Sequence, residues 1–307
     1  MYQGVILAAG HGARLGPFGQ QNPKPIVPIA NKPLIAYQIE ALKQIGITDI
    51  IILIGHLGYR IIQTIGDGGE WGVNIRYVEQ EKRLGLAHAV GQLEPYISSP
   101  FLLILGDIFF HAPQLSQMCE IMKKEACACI LATKEEQNFE VIRKNFSVQI
   151  NSEGYVTRVI EKPKYPQTKI KGCGIYLFDE RIFEGIHRTP RTALRDEYEL
   201  TDSIQILIDL GYSVKALPIV EWDVNLTYIK DLITCCHLEL TRQGKNMIQG
   251  KNCKVGENCS IVYSVLGDNV EIGDNCNLDK CVILNNVSIP SNTNLKDSVI
   301  STEGILE

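Results

Sequence analysis

The last part of the chain repeats with a period of seventeen residues. Val255, Ile272 and Ile289 are seventeen apart, and so are Ile261, Leu278 and Leu295, and Leu266, Ile283 and Ile300. Within one period the apolar positions step by five or six. Two residues before each stands a small one: Cys253, Cys259, Ser264, Val270, Cys276, Cys281, Val287, Thr293 and Ser298. Gly256, Gly267 and Gly273 directly follow an apolar position. Self-similarity at a fixed period is the mark of a solenoid, in which each repeat buries its apolar face only against its neighbours. Three apolar positions per period give a coil with three faces. The spacing therefore predicts a short left-handed parallel β-helix of hexapeptide repeats over 246–307, with about three turns. The small column fills its narrow interior, which accounts for four of the ten cysteines as core filler. An open coil end calls for a cap or a partner, so a homo-oligomer is expected.

Upstream the texture is different. GVILAA, DIIILIG and PFLLILGD read as buried strands, and CACILAT as another. Between them lie helical patterns, one from Asn31 as cap through about Ile45 with Gly46 as its stop, another over LGLAHAVGQLEPY. This alternation predicts an α/β fold: a Rossmann-like, mostly parallel sheet with helices on both faces. The division expected is 1–225 for that domain, 226–245 for a linker helix, and 246–307 for the β-helix. Sheets of this kind receive ligands at the carboxyl ends of their strands, and Gly10 and Asp107 both stand at such ends.

Composition excludes several classes. The formal net charge of −5 argues against a nucleic-acid partner, which selects a basic face. No apolar run reaches the roughly 18 residues of a membrane span. The N-terminus enters a strand without a basic segment or cleavage site, so a cytoplasmic protein is expected. The cysteines are then expected as thiols, and without a C-x-x-C pair zinc is not expected.

The stretch Gly10-His11-Gly12-Ala13-Arg14-Leu15-Gly16 has the look of a phosphate loop, yet two common designs do not fit it. A P-loop needs Gly-Lys-Ser/Thr, which does not follow. A dinucleotide fingerprint needs a third glycine where Leu15 stands, and an acidic residue about 20 positions on, whereas the next one is Glu40. A glycine turn can still hold phosphate oxygens on its backbone N–H groups. Arg14 and Lys24 would neutralise their charge.

Leu7-Ala8-Ala9-Gly10-His11-Gly12-Ala13-Arg14-Leu15, followed by Lys24-Pro25, resembles the opening of the sugar-1-phosphate nucleotidylyltransferases. The similarity is greatest to glucose-1-phosphate thymidylyltransferase-like enzymes with an added β-helix. Ala13 replaces the usual Thr or Ser. The resemblance implies that Leu7, Ala9, Gly10, Gly12, Gln80 and Gly85 bind a nucleoside triphosphate, with Gln80 reading a pyrimidine edge. It implies Mg2+ held by Asp107 and Asp223, an arrangement of few carboxylates that suits this ion. It places Ser147, Glu161, Lys162 and Gly174 around a sugar 1-phosphate such as glucose 1-phosphate, and names Arg14, Lys24, Asp107 and Lys162 as catalytic. Two departures touch the acceptor side: Ile108 where an Asn is usual after Gly-Asp, and Ser147 where a Gly is usual. Glu199-Leu200-Thr201-Asp202 matches an element that starts a helix. The six histidines carry no proton-transfer role in this scheme.

The expected reaction is attack of the sugar phosphate on the α-phosphorus of dTTP or UTP, with loss of pyrophosphate and no covalent intermediate. The alternatives are a cytidylyltransferase or another nucleotidylyltransferase with a different phosphorylated acceptor, and a non-catalytic regulatory subunit that binds sugar nucleotides. An acyltransferase in the tail would need a histidine, and none follows His237.

Overall fold

The computed structural model describes residues 2–10, 12–193 and 195–306. Contacts divide them into two bodies. One runs through Ala9 and resumes over Gln38–Asp223, and the other comprises Gly10–Tyr37 and continues from Val224.

The first body is built on a nine-stranded sheet. Its main path runs Val156–Glu161, Phe146–Ile150, Ile170–Phe178, Phe101–Leu105, Gln3–Ala8, Asp49–Ile54, Asn74–Glu79. Cys129–Glu135 also pairs with Ile170–Phe178, and Val214–Leu217 pairs in parallel beyond it. Gln3–Ala8 is flanked by parallel partners on both sides. Such strands are buried on both faces and read as continuous apolar runs, as GVILAA and DIIILI do. Val5 and Leu7 face a core shared with Ala89, Val90, Leu93, Phe183 and Leu200. On the other face Gly4 lies under Leu42 of the helix Leu34–Gln44, where a Cβ would come 2.8 Å from Leu42 Cδ1. Helices thus cover both faces.

The sheet is mixed. Ile170–Phe178 runs antiparallel to all three of its partners and changes register between Gly172 and Tyr176. Inside that irregularity Gly174 has φ 68°, which a side chain would strain. Strand order reverses at Gln3–Ala8: the next two strands stack on one side, and the chain then crosses to Phe101–Leu105 on the other. This is the switch point where a crevice opens beyond the strand ends, and Ala9 and Gly106-Asp107 stand there.

In the second body Asn31 is not the cap of a helix. Ala30 and Asn31, with φ 48° and 66°, form the turn of a small hairpin between Pro28–Ile29 and Lys32–Pro33. A two-residue hairpin turn of type I′ has positive φ at both positions, and Asn is among the residues that accept it. The helix begins three residues later, at Leu34, and Gly46, at φ 80°, follows its end as expected. The Asn31 amide donates to Leu266 O at 2.6 Å.

The tail forms a parallel β-helix. Its three faces are the sheets Met247–Gln249, Ser264–Leu266, Val282–Ile283, Val299–Ser301; Lys254–Val255, Glu271–Ile272, Ser288–Ile289; and Ser260–Val262, Asn277–Asp279, Asn294–Lys296. Partners are seventeen residues apart in each. Gly304–Leu306 then folds back antiparallel on the last strand of the first face. Both columns named from the sequence point inward: Val270, Cys276, Cys281 and Val287 share the core with Leu266, Ile272, Leu278 and Ile283. Cys253 and Cys259, in the first coil, are only half-buried. All ten cysteines are thiols.

The corners explain the remaining pattern. Each coil turns at a residue with positive φ: Asn252, Asn269 and Asn286; Asn258, Asn275 and Asn292; Tyr263, Lys280 and Asp297. Asn tolerates this region best after glycine. The first column also bonds to itself, Asn252 to Asn269 at 3.1 Å and Asn269 to Asn286 at 2.9 Å. The helix Ile229–Arg242 packs on the first face. There the outward residues are Val265, Val282 and Val299, all buried. On the other two faces they are Lys254, Glu271 and Ser288, and Ser260, Asn277 and Asn294, all exposed.

Candidate active site

In the first body the site residues gather at strand ends and at one irregular strand. Gly106 approaches the first strand so closely that a Cβ would lie 2.6 Å from Leu7 O, and its N–H donates to that oxygen at 2.9 Å. Asp107 follows in the turn before the strand Ile108–His111. Gln38, 1% exposed, spans this turn: its Nε2 donates to Leu105 O at 3.0 Å and to Ile108 O at 2.8 Å. Nothing in the linear motif pointed to Gln38, 67 and 70 residues away from its acceptors.

Leu7 and Ala9 have their side chains in the core, so only their backbones face outward at the strand end. Gly55 packs against Ala9, where a Cβ would come 3.0 Å from its oxygen. Gln80 is 8% exposed and its N–H donates to Ile54 O at 2.8 Å. Gly85 has φ 113°, and a Cβ there would come 2.6 Å from Tyr198 N. The close approach that demands this glycine is that of the chain's own backbone: Tyr198 N–H donates to Leu84 O at 2.7 Å and Ala87 N–H to Tyr198 O at 2.9 Å.

Glu161 ends its strand, and Lys162 takes the left-handed conformation, φ 42°. The Lys162 N–H is held by Asn145 O at 2.7 Å, and its ammonium lies 3.5 Å from Glu161 Oε1, still 46% exposed. Burial pushes the Glu161 carboxyl up from the usual range; Glu199 adds to this, while Lys162 and Arg195 oppose it. Glu199, 5% exposed, pairs with Arg195 at 2.6 Å, and the helix Leu200–Asp209 starts directly after it, as the motif suggested. Ser147 is buried, paired in register with Lys171. Ile108 is 2% exposed, and its terminal methyl occupies the space beside Gly174. Hydrocarbon fills the place where the usual Asn would offer a polar group.

Asp223 lies in the strand Trp222–Asn225, which pairs with Ile108–His111, the strand after Asp107. Its carboxylate is 1% exposed, with Oδ2 on the Lys171 ammonium and Oδ1 3.1 Å from that of Lys134. Lys134 also reaches Glu136 at 3.2 Å. Burial acts to lower the Lys134 pKa, but Asp223 and Glu136 more than offset it and hold it above the usual lysine range. As arranged, Asp107 and Asp223 do not fit a shared divalent ion, because Asp223 turns both oxygens to ammonium groups.

The glycine loop belongs to the second body. Gly12 has φ 64° and precedes a 3-10 turn, Ala13–Leu15, that carries the exposed Arg14. A Cβ on Gly12 would come 3.3 Å from Lys24 Cγ, so the Lys24 stem lies along this glycine. Gly10 is exposed. His11, read from the sequence as non-catalytic, lies outside the described residues.

Comparison with known proteins finds two family models along the chain. The sequence model of the nucleotidyl transferase family matches residues 3–224. This chain belongs to that family. A second model, GlmU-like C-terminal hexapeptide, matches residues 241–300 of the nucleotidyl transferase chain. It is 34% identical over 241 residues to the low-salt glycan biosynthesis nucleotidyltransferase of Haloferax volcanii, covering 78% of this chain and 66% of that one. It is 32% identical to a glucose-1-phosphate thymidylyltransferase of Streptomyces griseus, covering 77% and 65%. A UTP–glucose-1-phosphate uridylyltransferase of Haloferax volcanii is 32% identical, covering 75% and 93%. The match thus spans about two thirds of the first two relatives. Among solved structures, one assigned as a glucose-1-phosphate thymidylyltransferase of Bacillus anthracis, with sucrose bound, superposes with a TM-score of 0.70 at 27% identity, covering 78% of this chain and 95% of that one. A UDP-glucose pyrophosphorylase with bound UDP-glucose shares the fold, with a TM-score of 0.68 at 23% identity over 79% of this chain and all of that one.

Proposed function

We propose that this nucleotidyl transferase joins a nucleoside triphosphate, dTTP or UTP, to a hexose 1-phosphate such as glucose 1-phosphate, releasing pyrophosphate. A phosphate oxygen of the acceptor attacks the α-phosphorus in line, so a P–O bond forms to the acceptor as the bond to pyrophosphate breaks. Catalysis of such a step is positioning and charge stabilisation. In this reading the backbone N–H groups of the Gly10–Gly12 turn hold the triphosphate. Arg14 and Lys24 neutralise the departing pyrophosphate, and Gln80 selects a pyrimidine. Lys162 holds the acceptor phosphate, Glu161 its sugar hydroxyls, and Ser147 and Gly174 shape the pocket. Relatives named as a glucose-1-phosphate thymidylyltransferase and a UTP–glucose-1-phosphate uridylyltransferase support the choice of substrates. A homo-oligomer completes the reading, through the exposed Val255, Val262 and Tyr263 of the β-helix.

The observation that carries it is Lys162. A lysine in the left-handed region is costly, of order 1–3 kcal/mol, and persists where the surroundings impose it, commonly at a working site. Here the Lys162 N–H donates to Asn145 O, and the ammonium remains half-exposed beside the partly buried Glu161 carboxyl. Lys162→Ala is expected to raise the KM for the sugar phosphate by about tenfold or more, the scale of one charge-assisted contact. Nucleotide affinity, read by calorimetry, should change far less. Equal loss of both would remove Lys162 from the acceptor phosphate.

A further inference from the structure

We propose that Lys171 supplies, as a fixed ammonium group, the positive charge that a divalent ion would bring to Asp223. Asp223 is then the counter-ion of a lysine, and a divalent ion bound by this protein is held without it. The meaning of this for catalysis rests on the nucleotidyl-transfer reading above; the arrangement itself does not.

Three features of the strand Ile170–Phe178 carry the inference. The first is placement. Lys171 sits in the interior of the sheet, paired in register with Ser147 on one side and Lys134 on the other. Two lysines on neighbouring strands thus stand side by side and converge on one carboxylate. The second is burial. The side chains of Lys171 and Asp223 are 2% and 1% exposed, so neither reaches bulk water without moving. Cross-strand lysines repel each other unless something between them is negative, and Asp223 answers that need with one oxygen for each.

The third feature is the sum of charge. Lys171 and Lys134 bring two positive charges, and Asp223 and Glu136, linked to them by ion pairs, bring two negative ones. The quartet is neutral. A divalent ion added to Asp223 would leave this buried group at plus two, with an ammonium on each carboxylate oxygen. Repulsion between charges at such distances is strong away from water. To admit the ion, the Lys171 ammonium would have to leave the strand interior. An ammonium that is already there costs nothing to recruit at each turnover. It also cannot dissociate with the product, as a metal ion can.

The test is titration of Mn2+ into the full chain without nucleotide or sugar, read by the loss of the free-ion electron paramagnetic resonance signal. Three proteins are compared: wild type, Lys171→Met, and Lys171→Met with Asp223→Asn. Removing the ammonium opens Asp223, so Lys171→Met should bind Mn2+ about tenfold more tightly than wild type, or gain one site. The double variant should return to the wild-type curve. Equal binding by wild type and Lys171→Met would overturn the proposal, since the lysine would then block nothing. So would weaker binding in the double variant than in wild type, which would make Asp223 a ligand in the native protein. A gain retained in the double variant would place the new affinity elsewhere and overturn it as well. If Lys171→Met fails to fold, Lys171→Gln keeps a hydrogen-bond donor for Asp223 without the charge and is read in the same way. Turnover plays no part in this titration, so its outcome is separate from that of any assay of nucleotidyl transfer.

Discussion

At Gln38 a single amide nitrogen serves two carbonyls, those of Leu105 and Ile108, on either side of Gly106 and Asp107. The turn that presents Asp107 is therefore set from another element. Gln38→Leu keeps the volume and removes the donor to both oxygens. A loss of about 1–3 kcal/mol is expected in urea unfolding; an unchanged midpoint would mean that water takes over both carbonyls. The same locality separates what the sequence shows from what it hides. Asp107 is legible because it ends an apolar strand after Gly106. Glu161 and Lys162 are legible as adjacent residues of one motif. Gln38 is not, since its partners are 67 and 70 residues on, and neither is the meeting of Lys134, Lys171 and Asp223, which depends on strand pairing. For Gly85 the motif marks the right residue while the structure supplies a different reason, the backbone of Tyr198.

Among the elements, the β-helix is the most fully written in sequence, because each coil meets only its neighbours and the rule recurs every seventeen residues. Its glycines follow from that stacking. A Cβ on Gly250 would come 2.5 Å from Asp268 Oδ1, and Gly256, Gly267 and Gly273 face Asp274, Asn285 and Ser291 in the same manner. Those side chains cap the coil below: Asp268 accepts from Lys251 N at 2.7 Å, and Asn285 from Asp268 N at 2.8 Å. The equivalent positions of the last coil are Leu284 and Pro290. Leu284 still has a strand over it, its N–H donating to Ile300 O at 2.8 Å, whereas Pro290 is exposed. Gly267→Ala should destabilise the protein by about 1–3 kcal/mol through crowding, whereas Pro290→Ala should stay within about 0.5 kcal/mol. Calorimetric melting of both decides it, and equal shifts would refute the role given to the stacked caps. The outward Val265, Val282 and Val299 mark the face covered by the helix Ile229–Arg242, a signal present in the sequence and legible once the three columns are separated. Asn31 was harder to place: beside a helical pattern it reads as a cap, and only the positive φ of Ala30 and Asn31 together reveals a hairpin.

For the whole molecule, alternation of apolar strands and helices was enough to predict an α/β sheet with helices on both faces, and the order of strands about Gln3–Ala8 places the crevice. The antiparallel run of Ile170–Phe178 was not legible, because direction leaves no mark on an apolar strand buried on both faces. That strand brings Lys171 to Asp223 and Gly174 to Ile108, so the part of the site furthest from the family's motif is the part that local pattern could not place. The central claim concerns the chemistry of the entire chain, and one assay tests it most directly: pyrophosphate release by the wild-type protein with Mg2+, crossing dTTP, UTP, CTP and ATP with glucose 1-phosphate and other phosphorylated acceptors. The account predicts release with dTTP or UTP that depends on a hexose 1-phosphate, with one NDP-sugar formed per pyrophosphate. Nucleotide binding without release in any combination would contradict it and identify a binding protein on an enzyme's fold.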